Sequence, residues 1–273
     1  MRFSSTLALC LALSALGLVP VSAQESPLKR LETGNDSRGW NAVGRLNLGR
    51  KGFCTGALIA PNLVLTAAHC LFDKESGARI DPTQIEFLAG WRNGRAAAYR
   101  GVRRAVAHPD YVYSGDEKLA RVAYDLALIE LDQPIRLPSI VPFETDDRPM
   151  KGDEVGVVSY GRDRDDAPSL QEVCHVLGRQ PGVLVLSCLV DFGSSGAPIF
   201  SMRGGVARVV SVVSAKAEVE GEQVALGTSL QEPLIELRAE LASNNDGVFK
   251  RQVPPQVRSL AVTRSDGAKF VKP

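Results

Sequence analysis

The stretch LVLTAAHC, residues 63–70, contains the pattern on which the fold assignment depends. Four apolar or β-branched residues, Leu63–Thr66, run directly into two alanines, a histidine and a cysteine. This order predicts that His69 follows the end of a strand, where a rigid scaffold can present a reactive side chain. A lone histidine is most often structural, so the meaning of this one depends on the rest of the chain.

Further short strands are predicted on both sides of this stretch, because Val-, Ile- and Leu-rich segments alternate with segments rich in Gly, Pro, Asp and Asn. The predicted strands are Leu63–Thr66, Ile85–Ala89, Val102–Ala107, Leu126–Leu131, Glu154–Tyr160, Val183–Val190, Val206–Val213 and Gln223–Gly227. The predicted turns include Trp91–Gly94 and Arg162–Pro168. Many short strands without long helices between them favour a sandwich or a barrel.

One helix is predicted, at Gln231–Ser243. Leu230, Leu234, Leu237 and Leu241 recur at helical spacing and form one apolar stripe. Pro233 falls in the first turn, where a missing N–H does no harm.

The first 23 residues are predicted to be a secretory signal peptide. Arg2 precedes an apolar run from Leu7 to Val19, and Val21 and Ala23 are small residues placed for cleavage before Gln24. We then expect an N-terminal segment over residues 24–38, one globular domain over 39–244 and a poorly ordered tail over 245–273. Export to the medium or the periplasm follows from the signal peptide.

Composition narrows the classes of partner. The chain has 273 residues and a net charge of +1, which gives no electrostatic case for a nucleic-acid partner. No stretch after the signal peptide reaches about 18 apolar residues, so no stable membrane anchor is expected after cleavage.

Four cysteines remain after the signal peptide: Cys54, Cys70, Cys174 and Cys188. An even number in an exported protein indicates two disulfides, and three pairings are possible. We predict the local pairing, Cys54–Cys70 and Cys174–Cys188, with each bond stabilising the fold by on the order of 3 kcal/mol. A zinc site is the competing interpretation, but there is no C-x-x-C pair and His175 has the wrong spacing, so no metal is expected.

Two further motifs could provide chemistry together with His69. Asp125 opens an apolar strand, and a carboxylate entering a buried strand needs a partner such as a histidine N–H. The segment GSSGAPIF, residues 193–200, predicts a tight turn from which Ser195 projects. The N–H groups of Gly193 and Ser195 could stabilise an oxyanion together, with one such donor worth about 3 kcal/mol. Each motif alone fits an ordinary turn, but a nucleophile, a base and an orienting carboxylate form a triad.

These stretches together resemble the trypsin/chymotrypsin-like serine peptidases. The resemblance rests on Thr66–Cys70, on Asp125–Ile129 and on Gly193–Pro198, and it extends over roughly residues 39–243. Further similarity is present at Cys54–Ile59, His108–Tyr111 and Val210–Val212. It implies an all-β fold of two antiparallel six-stranded β-barrels, with the site between them and a C-terminal helix.

The resemblance also implies roles for individual residues. Ser195 would attack the peptide carbonyl, His69 would take and return its proton, and Asp125 would orient the histidine. Gly193 and Ser195 would form the oxyanion hole. The remaining expected contacts are Ser211 beside Asp125, and Val212 and Val213 along the substrate backbone. The substrate would be a polypeptide, the protein a monomer, and no cofactor would be needed.

Position 194 departs from the common pattern of the family, which has Asp before the nucleophile where this chain has Ser194. A hydroxyl cannot form an ion pair with a newly cleaved N-terminus. We therefore hypothesise that the site is not activated in that way, as in the bacterial glutamyl-endopeptidase-like branch that the chain resembles in this respect.

Specificity is open between two alternatives at P1, the substrate residue before the cleaved bond. Leu189 at the pocket floor and Val213 at its wall would favour small or aliphatic P1 residues. Resemblance to the glutamyl-specific branch would instead favour acidic P1 residues.

Two other functions compete with an endopeptidase. One is a non-catalytic homologue that uses the same cleft as a binding module. The other is a different secreted acyl hydrolase, such as an esterase. The presence of all three triad residue types favours the peptidase.

Overall fold

The computed structural model describes residues 25–114, 118–147, 149–219, 221–243 and 269–271. The predicted signal peptide and most of the predicted tail lie outside these ranges. No helix in the described ranges is long and apolar enough to cross a membrane.

The first half of the chain supplies seven strands and one short α-helix. The strands are β1 (Lys29–Arg30), β2 (Val43–Leu48), β3 (Phe53–Ala60), β4 (Leu63–Thr66), β5 (Ile85–Ala89), β6 (Ala98–Ala107) and β7 (Ala127–Leu131). Helix α1 is Lys118–Ala123, and 3₁₀ turns occupy Ala68–Leu71 and Pro82–Gln84. Strands β2 to β7 close into a barrel in the order β2-β3-β4-β7-β6-β5.

The second half forms another barrel. Its strands are β8 (Glu154–Gly161), β9 (Arg164–Gln180), β10 (Val183–Leu186), β11 (Pro198–Ser201), β12 (Arg208–Val219), β13 (Glu222–Ser229) and β14 (Lys269–Val271), and helix α2 is Gln231–Ala242. Antiparallel pairing follows the order β9-β10-β13-β12-β11-β8, and β8 closes the barrel against β9. The two closed six-stranded barrels confirm the predicted fold class.

Two short strands, β1 and β14, add to the second barrel from the two ends of the described residues. Strand β1 pairs with β9, and Leu31 beside it is only 1% exposed. Strand β14 pairs with β12 at Lys216–Glu218. The segment before residue 39 is therefore packed into the domain, which its sequence did not indicate.

Aromatic side chains fill the seam between the barrels. The Phe200 ring lies 5.1 Å from that of Trp40 and 4.7 Å from that of Phe143. Leu234 and Leu237 of α2 are buried in the same core cluster. The barrels are thus held together by apolar packing, which fixes the cleft between them.

Each of the eight predicted strands is present at least in part, but β1, β2, β3, β9, β11 and β14 were not predicted, and the strand predicted over Val206–Val213 runs instead over Arg208–Val219. The helix is confirmed to within one residue. The predicted turn at Arg162–Pro168 is wrong from Arg164 onward, because the 17-residue strand β9 begins there. The strand predicted over Val183–Val190 ends at Leu186, and α1, with six residues, was too short to show a helical period.

Candidate active site

His69 lies at the centre of the cleft, directly after β4. The chain turns there into the 3₁₀ segment Ala68–Leu71, and His69 is 7% exposed. The main-chain N–H of His69 donates to Asp125 Oδ1 at 2.8 Å, and ring Nδ1 lies 2.7 Å from Asp125 Oδ2. Because a carboxylate only accepts, Nδ1 is the donor in this contact, and in a neutral imidazole Nε2 is then the acceptor. Nε2 is buried and has no hydrogen-bond partner among the described residues.

A serine also binds Asp125, but it is Ser214 and not the predicted Ser211. The Ser214 hydroxyl donates to Asp125 Oδ2, whereas the Ser211 hydroxyl donates to the Thr228 carbonyl at 2.8 Å. The two hydroxyls therefore bind different partners from the same strand. A bulge between Val213 and Ala215 shifts the register there. Residues 210–214 contain two serines with valine neighbours, so the sequence does not distinguish which serine contacts Asp125.

The nucleophile loop presses against the strand end that leads to His69. Gly196 has φ of 77°, and a Cβ there would lie 2.1 Å from Thr66 Oγ1 and 2.9 Å from the Ala67 nitrogen. Gly193 has φ of 95°, and its Cβ would meet the Phe53 ring at 2.3 Å. Both positions therefore need glycine, for backbone conformation and for space. Their packing brings the loop with Ser195 beside the histidine segment.

Thr55 fixes this loop from the first barrel. Its N–H donates to the Ser195 carbonyl at 2.8 Å, and its hydroxyl donates to the Gly193 carbonyl at 2.9 Å. The side chain is fully buried. Thr55 was not predicted as a site residue, although it sits next to Cys54 in a stretch that resembles the family.

With those carbonyls turned toward Thr55, the N–H groups of Gly193 and Ser195 have no acceptor among the described residues. The neighbouring N–H of Ser194 donates to the Asp191 carbonyl at 2.9 Å. Two unpaired donors beside one serine form an arrangement that can bind an oxyanion.

The hydroxyl of Ser194 points into the second barrel and is fully buried. It donates toward the Tyr160 carbonyl at 3.1 Å and accepts from Arg164 Nη2 at 3.0 Å. The same guanidinium donates to the Ser159 carbonyl at 2.7 Å. Burial lowers the pKa of Arg164, while Asp191 acts in the opposite direction. Arg164 thus connects the nucleophile loop to β8 and β9, and its place in the predicted turn hid this role.

The main chains of Val212 and Val213 face the protein rather than a substrate. Val213 donates its N–H to Ala197 and accepts from Gly196, each at 2.8 to 2.9 Å. Val212 is fully buried and pairs with Pro198 and Thr228. The predicted backbone contacts are therefore wrong for these two residues. Along one edge of β12, β11 pairs with it as far as Val212, and β14 pairs with it from Lys216 onward. Among the described residues, the edge is therefore open around Ser214.

A pocket opens beside Ser195. Its lining consists of Val190, Asp191, Phe192, Ser195, Val213, Ser214, Ala215 and Lys216. Lys216 Nζ and Asp191 Oδ1 pair at 3.0 Å. Burial opposes ionisation of Asp191, but the Phe192 N–H and the Lys216 ammonium outweigh it and lower the Asp191 pKa. The expected floor residue Leu189 is instead 48% exposed and outside the lining, whereas the expected wall residue Val213 belongs to it.

Both predicted disulfides are formed. Cys54–Cys70 links β3 to the turn that holds His69, and Cys174–Cys188 links β9 to the segment before the nucleophile loop. Cys54, Cys70 and His69 lie close enough for a metal site, but the disulfide removes the thiolates that would bind an ion.

Comparison with known proteins agrees with this architecture. The family model described as Trypsin matches residues 33–231. A solved structure of a Glu endopeptidase in complex with MPD superposes with a TM-score of 0.63 and 18% identity. That match covers 80% of this chain and 97% of the other.

Curated relatives match over shorter lengths. Serine proteinase stubble of Drosophila melanogaster is 36% identical over 40% of this chain and 14% of its own length. Lectizyme of Glossina austeni is 27% identical over 51% of this chain and 49% of its own. A glutamyl endopeptidase of Bacillus licheniformis is 25% identical over 55% of this chain and 45% of its own. The chain spans at most about half the length of these relatives. Since the family model covers most of the two barrels, the chain belongs to the trypsin family of serine peptidases.

Proposed function

We propose that this protein is a secreted serine endopeptidase that cleaves polypeptides through a Ser195–His69–Asp125 triad and an acyl-enzyme. The proposal rests on the hydrogen bonding of His69. Asp125 holds it through two hydrogen bonds, of 2.8 and 2.7 Å, and its Nε2 is left unpaired. The adjoining loop offers a serine and two unpaired N–H donors.

The reaction follows from these positions. His69 Nε2 accepts the Ser195 proton as Oγ attacks the carbonyl carbon, and the N–H groups of Gly193 and Ser195 bind the developing oxyanion. Asp125 stabilises the imidazolium, which then gives its proton to the leaving amine. Water attacks the acyl-enzyme by the reverse sequence of proton transfers. Ser214, rather than the predicted Ser211, lies beside Asp125 and positions it through a hydroxyl hydrogen bond.

The site of action is the medium or the periplasm. Two disulfides persist only in an oxidising compartment, which agrees with the predicted signal peptide. The peptidase family implies a polypeptide substrate, and the protein is proposed to act as a monomer.

The pocket favours a short, uncharged P1 side chain. Its walls are apolar at Val190, Val213 and Ala215, and Asp191 already neutralises Lys216. A charged P1 residue would have to break that pair. An acidic P1 residue is the rival, favoured by the Lys216 ammonium in the lining and by the name of the Bacillus relative. Mass-spectrometric profiling with a peptide library separates them, and predominant cleavage after Asp or Glu would contradict our preference.

The proposed activity is tested with a fluorophosphonate probe, which reacts only with an activated serine. We expect stoichiometric labelling of the secreted protein at Ser195 and none in the Ser195→Ala variant. Comparison of ester and peptide turnover then distinguishes an endopeptidase from an esterase. Absence of labelling under all conditions would show that the cleft is a binding module.

Arg164 is proposed to hold the nucleophile loop in its working form without a newly cleaved N-terminus. Arg164→Met removes the guanidinium from the Ser194 hydroxyl, so the Gly193 N–H loses its alignment. We expect kcat to fall by about a hundredfold, comparable to loss of one oxyanion donor, with little change in KM. Stopped-flow acylation of wild type and variant measures this directly.

The matched control is Arg208→Met, which removes another half-buried guanidinium, one that pairs with Glu144 at 3.0 Å. It should leave kcat unchanged. If both variants lose only thermal stability and retain wild-type kcat, Arg164 has no role in positioning the loop. Activity that appears only after cleavage near Lys29 would contradict the proposed activation.

A further inference from the structure

Three cations surround the ring of Phe192, which adjoins the oxyanion loop. The Arg162 guanidinium carbon lies 4.3 Å from the ring centroid, Lys216 Nζ lies 4.7 Å from it and Lys74 Nζ lies 5.9 Å from it. We call these four residues the Phe192 cluster. Cations are attracted to an aromatic face, but three cations around one ring repel one another.

The charges of the cluster are only partly compensated. Lys216 pairs with Asp191 at 3.0 Å. Lys74 and Arg162 form no ion pair within 4.0 Å in the described part of the chain, although the charge of Arg162 also acts on Asp191 at longer range. Three positive charges and one negative charge leave a local excess of +2. Burial, and secondarily the charge of Arg162, lower the pKa of Lys74. The two unpaired cations therefore gain from any anion placed between them.

The position of the two unpaired cations decides which part of a substrate meets them. Lys74 lies on the loop that follows the His69 turn, beside Asp73, which pairs with Lys51. Arg162 lies in the β8–β9 hairpin, and its N–H donates to the Phe192 carbonyl at 2.7 Å. In the proposed mechanism His69 protonates the leaving amine, so we expect substrate residues after the cleaved bond to leave the site past the loop that follows His69. Residues before the bond meet β12 and the Lys216–Asp191 pair instead.

We propose that Lys74 and Arg162 form a subsite for an acidic side chain one or two residues after the cleaved bond. The subsite rests on the proposed endopeptidase function and narrows its substrates to polypeptides with Asp or Glu on the leaving side. Arg162 supplies a planar donor fork that a carboxylate can accept, and Lys74 adds a second charge. The Phe192 ring holds both cations beside the path of the substrate.

The experiment uses pairs of quenched fluorescent peptides that differ by Glu against Gln at the first or second position after the bond. For wild type at low salt, we expect kcat/KM to be about tenfold higher for the Glu peptide than for the Gln peptide. Two exposed ion pairs, with Lys74 and with Arg162, would together give this ratio, since each contributes at most about fivefold. The preference should shrink above about 0.5 M salt, since screening acts strongly there. Moving Glu to the second position before the bond should give no comparable gain.

Arg162→Gln and Lys74→Gln should each reduce the ratio of kcat/KM for the Glu peptide to kcat/KM for the Gln peptide by about threefold. Arg136→Gln and Lys151→Gln remove exposed cations outside the cluster and serve as matched controls. They should retain the full preference. Equal turnover of both peptides by wild type, or an unchanged preference in both cluster variants, would overturn the subsite.

Binding separates the failure of the subsite from the failure of the proposed function. Fluorescence anisotropy on the Ser195→Ala variant measures peptide affinity without turnover. The subsite is supported if Ser195→Ala binds the Glu peptide more tightly than the Gln peptide and if the double variant Ser195→Ala/Arg162→Gln loses this difference. That result stands even if wild type hydrolyses neither peptide. Equal affinity for both peptides counts against the subsite even if wild type hydrolyses both.

Discussion

Replacing Ser195 with alanine is expected to lower kcat by about a millionfold, because the change removes the atom that forms the acyl-enzyme. The Ser195 hydroxyl makes no hydrogen bond among the described residues, while its carbonyl accepts from Thr55 at 2.8 Å. The loop should therefore keep its shape. The free energy of unfolding should change by less than about 0.5 kcal/mol.

The measurement is kcat on one peptide substrate, with thermal unfolding as the control for folding. His69→Ala is the informative comparison, because the two residues act as one unit. The double variant Ser195→Ala/His69→Ala should be no slower than either single variant. His69→Ala should also lower the free energy of unfolding by about 1 to 3 kcal/mol, because it removes the ring Nδ1 donor from the buried Asp125 carboxylate, although the main-chain N–H at position 69 remains. More than 1% residual activity in Ser195→Ala would exclude it as the nucleophile.

The second large effect is expected at Asp125. Asp125→Asn preserves shape, but its amide can donate to Nδ1 and so stabilise the tautomer with the proton on Nε2. That imidazole cannot take the Ser195 proton, and we expect kcat to fall by about 10⁴ with KM nearly constant. The present geometry requires an acceptor, because the main-chain N–H and the ring Nδ1 of His69 both face the carboxylate, at 2.8 and 2.7 Å.

Two serine variants refine this test. Ser214→Ala removes one donor from the Asp125 carboxylate and should cost about tenfold in kcat. Ser211→Ala is the matched control on the same strand, because its hydroxyl binds the Thr228 carbonyl and not Asp125. It should leave kcat unchanged. A larger loss for Ser211→Ala than for Ser214→Ala would refute the register of β12 described here.

Several contacts of the site escaped prediction because they join residues far apart in the chain. Thr55 meets Gly193 across 138 positions, and Ser214 meets Asp125 across 89. Arg164 was assigned to a turn, because neighbouring aspartates and Pro168 are typical of one. In the structure those polar residues lie on the first part of the long strand β9. Local composition cannot report such pairings.

Residue patterns are sufficient to predict the helix and both disulfides, and the resemblance to the trypsin/chymotrypsin-like family implies the two barrels and the proximity of His69 to Asp125. The leucine spacing specifies the helix and the short separation of the paired cysteines specifies the disulfides, whereas the strand ending at Thr66 and the glycines at 193 and 196 belong to the motifs that carry the resemblance. Tertiary structure decided which serine binds Asp125, how Ser194 is supported and which charges line the pocket. These depend on a bulge in β12 and on burial between the barrels, both of which arise only when distant strands pair.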